Sequence, residues 1–159
     1  MDTQSFTVLD AASLVSATPP SRKGSFYILQ KYADSDGKSG ISASEAAEFI
    51  RAAQNCIAEA WCRDPQLASR FYARSFDLSD NQLSLAEALA FTHLKAAELT
   101  RSAERLNEKI RRSERQSRSA APCNALRDLS ALMADAGEFK LLHDELETFY
   151  LFQKNVQEA

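Results

Sequence analysis

Ile41-Ser42-Ala43-Ser44-Glu45-Ala46-Ala47-Glu48-Phe49 and Leu83-Ser84-Leu85-Ala86-Glu87-Ala88-Leu89-Ala90-Phe91 are two copies of one pattern, aliphatic-Ser-x-x-Glu-Ala-x-x-Phe, set 42 residues apart. Ser-x-x-Glu is the pattern of a capping box, in which the serine hydroxyl and the glutamate carboxylate each satisfy a backbone N–H that the first turn of a helix leaves bare. Each copy is preceded by a polar run that starts on aspartate, Asp34 to Gly40 and Asp77 to Gln82, and each run by an aromatic pair, Phe26-Tyr27 and Phe71-Tyr72. The unit is therefore helix, polar loop, helix, and it occurs twice.

Outward from the repeat, helical spacing continues in both directions. Upstream of the first loop, Phe26, Leu29 and Tyr32 share a face of a helix that begins near Ser25. Downstream of Ser42, the stripe Ala46, Phe49, Ile50, Ala53, Ile57 and Trp61 predicts a long amphipathic helix. Arg63-Asp64-Pro65 breaks it, with Asp64 placed to cap a next helix that carries Leu67, Phe71 and Phe76. The helix opened by Ser84 runs through Leu89, Phe91, Leu94 and Ala97 and meets no stop before about Arg118, because Pro122 is the first breaker. Along its outer half, Leu99, Ala103, Leu106 and Ile110 follow spacings of 4, 3 and 4, the pattern of a helix packed along another helix. Two shorter helices, near Asn124 to Met133 and Leu142 to Val156, are expected on either side of Asp135-Ala136-Gly137-Glu138. Leu141, Glu145 and Phe149 faintly repeat the same aliphatic, Glu, Phe spacing after that break.

Composition agrees with an all-α fold, since only 4 Gly and 4 Pro occur in 159 residues. The expected architecture is a pair of helix-loop-helix units plus a long helix and C-terminal helices packed as one bundle. Within a single domain, residues 1–24 form a flexible leader, 25–97 the pair, and 98–159 the extension. The formal charge of −3 from 19 basic and 22 acidic residues gives no concentrated positive face for nucleic acid. No apolar run is long enough for a membrane span. Cys56, Cys62 and Cys123 form neither a C-x₂-C metal pair nor a complete disulfide framework, so reduced thiols and the cytoplasm are expected. The Ser- and Thr-rich, base-poor leader offers an alternative, leaderless or type III secretion.

Here the polar loops resemble those of the EF-hand superfamily. Asp34-Ser35-Asp36-Gly37-Lys38-Ser39-Gly40-Ile41-Ser42-Ala43-Ser44-Glu45 is similar to the 12-residue calcium loop of that family. The resemblance places Asp34, Asp36, Gly40, Ser42 and Glu45 on ligand positions 1, 3, 7, 9 and 12, and Ile41 on position 8, which in the family pairs with its sister loop. Ile41 is accordingly expected to pair with Leu83. The loop departs from the pattern at position 5, where Lys38 offers no oxygen, and at the turn glycine, replaced by Ser39. In the second loop Asp77, Ser79, Asn81 and Glu87 offer oxygens, but Asp77 to Glu87 spans 11 residues. The resemblance covers about residues 25 to 97. It implies weak Ca²⁺ binding as the one cofactor, and a regulatory or binding role exerted through a protein partner.

Other chemistries fit poorly. Gly37-Lys38-Ser39 lacks the upstream glycine of a phosphate loop, since Tyr32 stands at that position. His93 and His143, the two histidines, fall in no metalloprotease or nucleophile arrangement, and the capping boxes account for Glu45 and Glu87, so no enzyme is expected. The competing reading is a metal-independent helical interaction protein, such as a secreted bacterial effector or adaptor. Its partner, or a second copy of the chain, would meet the stripe Leu99, Leu106 and Ile110.

Overall fold

The computed structural model describes residues 8–10, 27–33, 41–117 and 123–158. Both capping boxes form and start the two helices that the repeat announces. In α2, Ala43–Arg63, the Glu45 amide donates to Ser42 Oγ at 3.1 Å and the Ser42 amide to Glu45 Oε1 at 3.1 Å. In α4, Leu85–Ser117, the corresponding pair is Glu87 to Ser84 Oγ at 3.2 Å and Ser84 to Glu87 Oε1 at 3.0 Å. A short α1, Tyr27–Ala33, buries Ile28, Leu29 and Ala33, and Phe26 of the expected stripe lies outside the described residues. The all-α class holds, with α4 running 33 residues to Ser117 as its unbroken stripe requires.

Three expectations are corrected. The segment after Arg63 makes only a one-turn α3, Leu67–Arg70, and Phe76 lies beyond it in irregular backbone. Asp64 caps the end of α2 with its amide on the Ala60 carbonyl, and its carboxylate accepts from the Gln66 amide at 3.0 Å. What ends α3 is Tyr72, at a φ of 68°, the left-handed region that no helix continues through. Tyr72 is held there by stacking on Tyr150 at 4.4 Å and by donating its hydroxyl to Glu147 at 3.2 Å.

The second correction is that the C-terminal helices are one, α5, Cys123–Glu158, of 36 residues. Gly137 costs a helix interior about 1 kcal/mol. Burial of Phe139, Leu142 and Leu146 around it stabilises by roughly 1.5–3 kcal/mol each, so packing overrides the local break. Asp135, which reads as a breaker, accepts from Lys31 Nζ at 2.7 Å and from the Tyr32 hydroxyl at 2.9 Å, tying α1 to α5. Leu141, Glu145 and Phe149 therefore sit inside a helix and carry no third loop.

The third concerns the strands. Val8–Asp10, within the supposed leader, form β1, which pairs antiparallel with β2, Gln82–Ser84. Leu83 stands opposite Leu9, not Ile41, and Ile41 packs half-buried against the core. The rest of the leader lies outside the described residues. The core sits where α2, α4 and α5 meet: Phe91 of α4 makes edge-to-face contacts with Phe49 of α2 at 5.7 Å and with Phe139 of α5 at 6.0 Å. Beyond that point α5 lies back along α4 as the long arm of a helical hairpin, the most extensive packing between elements among the described residues. No helix among the described residues is long and apolar enough to cross a membrane.

Candidate functional site: the second loop and the groove between the paired helices

Loop two is closed by the chain's own hydrogen bonds. Glu87 is 3% exposed, and beyond its capping bond its second oxygen, Oε2, accepts from the Asp77 amide at 3.0 Å. The carboxylate that would grip an ion from both oxygens is thus engaged at both by backbone amides from the two ends of the loop. Burial raises its pKa, the Ser84 and Asp77 amides oppose that rise, and the charges of Asp80 and Asp77 add to it. At the loop's entry, Asp77 Oδ1 accepts from the Ser79 hydroxyl at 2.7 Å and the Ser79 amide at 3.2 Å, which lowers the Asp77 carboxyl. Gln54, a buried polar residue of α2, reaches across to donate to the Asp80 carbonyl and, at 3.2 Å, to the Gln82 carbonyl. Asn81 is exposed.

An ion gripped by both Glu87 oxygens would have to displace the Asp77 and Ser84 amides from them. Of the four oxygen donors expected of loop two, Glu87 joins the two ends of the loop and Asp77 holds Ser79, while Asn81 faces outward. Of loop one, Asp34, Asp36 and Gly40 lie outside the described residues, whereas Ser42 is exposed and Glu45 half-buried in its capping box. Among the described residues no group of three or more His, Cys, Asp or Glu side chains is placed to hold a metal.

The expected partner stripe is largely inside the molecule. Leu99 and Ile110 are each 7% exposed, and Leu106 is half-buried. The area that would face a partner is taken up within the chain, on the helix whose main packing neighbour is α5.

A different surface emerges from the repeat. Phe49 and Phe91 hold equivalent positions in the two copies and touch, and beyond them α2 and α4 line a groove of about 580 Å³. Its walls include Ala53, Cys56, Ala60 and Arg63 of α2 and Leu94, Lys95, Glu98 and Arg101 of α4, which follow the two phenylalanines at steps of three and four. That spacing is visible in the sequence, where it also describes a stripe that faces the core. The floor is apolar and the rim charged: Lys95 pairs with Glu98 at 3.2 Å and lies 5.4 Å over the Tyr32 ring, while Glu59, Arg63 and Arg101 also border the groove. Burial pushes the Cys56 thiol up, and Glu98 adds to the rise, so Cys56 is a neutral wall rather than a thiolate nucleophile. Tyr32 is likewise raised, by burial and by its bond to Asp135.

At the opposite end, the two histidines meet. His93 and His143 lie 5.8 Å apart and both contact the Phe71 ring. His143 Nδ1 is 3.0 Å from the Leu89 carbonyl and 3.2 Å from Thr92 Oγ1, so it serves the α4–α5 joint. Partial burial lowers the His93 pKa, helped by the charges of His143 and Arg70. The Thr92 hydroxyl beside His143 is buried and is also bonded to the Ala88 and Leu89 carbonyls. No protein-family model, curated protein or solved structure matches the chain.

Proposed function

We propose that this chain is a non-enzymatic binding module whose paired helix-loop-helix units set α2 and α4 at a fixed opening, into which an amphipathic helix of a protein partner lays its apolar face. The observation that carries this reading is the groove itself: half-buried Cys56, Ala60 and Leu94 form its apolar wall over a floor of buried Phe49, Ala53 and Phe91, and rim charges at Arg63 and Arg101, which make no ion pair among the described residues, favour acidic flanks on the incoming helix. The module works without an ion at loop two, since Glu87 already has its hydrogen bonds.

A model helix with leucines three and four residues apart and glutamates on its flanks, titrated by calorimetry, tests the groove. The wild-type chain should bind it, and Cys56→Arg, at a half-buried wall position, should weaken binding about tenfold, the equivalent of 1.4 kcal/mol, while the melting temperature stays close to wild type. Equal binding by both proteins would remove the groove from the proposal.

Calcium enters the proposal only through loop one, where Glu45 ends the loop at the first turn of α2. A titration to millimolar Ca²⁺ followed by the fluorescence of Trp61, which packs edge-on to Phe76 at 5.2 Å, reads any reorientation of α2. A signal that is lost in Glu45→Gln assigns the ion to loop one, whereas an unchanged spectrum assigns the module a purely metal-independent role.

A further inference from the structure

α5 is apolar on two opposite faces. Phe139, Leu142 and Leu146 point into the core. On the other side Leu126, Met133, Leu141, Leu151 and Phe152, exposed by 49%, 61%, 59%, 44% and 63%, fall within about 100° of one another around the helix. They lie along a strip about 40 Å long, in which exposed Asp144, five whole turns from Leu126, stands between Leu141 and Leu151. Together they expose on the order of 500 Å² of apolar area, at the upper end of what a monomer ordinarily shows.

We infer that this outer face of α5 is a self-association surface whose occupant is the same face of a second copy, packed antiparallel about a two-fold axis near residue 139. A strip of this length needs another long helix with a matching strip, and α5 supplies one. In that register Leu126 of each copy meets Leu151 and Phe152 of the other, and Leu141 settles over Gly137. A Cβ built on Gly137 has nothing within 4 Å, so the space above it is open in the single chain. Two stripes together remove about 1,000 Å² from water, the lower bound for a specific interface, which makes the dimer weak and concentration-dependent. Lys140 and Glu138 lie at the two edges of the stripe close to the axis, so each faces its own copy. These like-charge rims oppose association and are screened by salt. The surface is separate from the groove, and neither reading depends on the other.

Sedimentation velocity on the full chain, from low micromolar to submillimolar concentration, tests this. The wild type passes from monomer to dimer, and added salt strengthens the dimer. Leu141→Glu and Gly137→Leu, both at exposed positions, each weaken it at least about tenfold while circular dichroism and melting stay as in the wild type. Arg105→Glu, on the exposed side of α4, leaves the dissociation constant unchanged. A chain that stays monomeric at every concentration overturns the inference. So does a dimer that Leu141→Glu and Gly137→Leu leave intact, or one that salt dissolves.

Discussion

α4 and α5 are nearly equal in length, 33 and 36 residues, and pack on one another, yet they are built on different logic. α4 starts on a capping box, is buried all round from Glu87 to Thr92, and beyond that buries a single stripe through Leu99, Ala103 and Ile110. α5 buries Phe139, Leu142 and Leu146 on one side, leaves five large apolar residues on the other, and carries a glycine at its middle. A one-sided helix declares its neighbour through its own period. A two-sided helix does not, because its apolar positions add up to no single direction.

The sharpest way to break this contrast is to remove one side chain from each face of α5. Phe139→Ala empties a fully buried site against Phe91 and Tyr32 and should cost about 3–5 kcal/mol in a denaturant titration. Leu141→Ala, two residues on, should stay within about 0.5 kcal/mol at monomer concentration. Equal losses would mean that the two faces are not distinct.

The starts of the two box-capped helices differ by less. Glu87→Ala removes a buried carboxylate and frees the Asp77 and Ser84 amides that it joins, and should cost about 2 kcal/mol, whereas Glu45→Ala, at a less buried cap, should cost about 1 kcal/mol. The same asymmetry has a pH dependence. Glu87 has its carboxyl raised above the ordinary value of about 4.3, so its contribution to stability is fully present below that value and is lost as pH rises through the raised one. A carboxyl carbon-13 titration in which Glu87 titrates at or below the ordinary value would contradict the burial argument.

The smallest effect is expected at the middle of α5. Gly137→Ala should stabilise the monomer by roughly 0.5–1 kcal/mol, because the helix gains propensity and the added carbon meets no neighbour. Destabilisation would place a close contact at Gly137 within the single chain.

Two features of the repeat were legible because their physics is local. Ser42 with Glu45, and Ser84 with Glu87, bond across three residues, so the serine and the glutamate specify the cap wherever the helix is sent. The far end of α4 was legible for a related reason, since an unbroken stripe without Gly or Pro has no cause to stop. The groove was half legible: the spacing from Phe49 and Phe91 was visible, but not that the two rings touch and open α2 and α4 into a lined cleft. The partner stripe at Leu99 and Ile110 was read from a sound period, and its period pointed to a helix of the same chain.

By itself the sequence determined the helical class, the two box-capped starts, the polar loops between helices and the reach of α4, each set by interactions a few residues apart. Only the tertiary structure decided that α5 is unbroken, that Leu83 pairs with Leu9, and that Glu87 holds two amides rather than standing free for an ion. In each case the deciding partner lies far along the chain or depends on burial. Lys31 and Tyr32 reach Asp135 across more than 100 residues, β1 crosses more than 70 to reach β2, and Glu87 is desolvated by the core around it. Such contacts outweigh a glycine's helix penalty or a three-residue strand's weak register, and no local pattern records them.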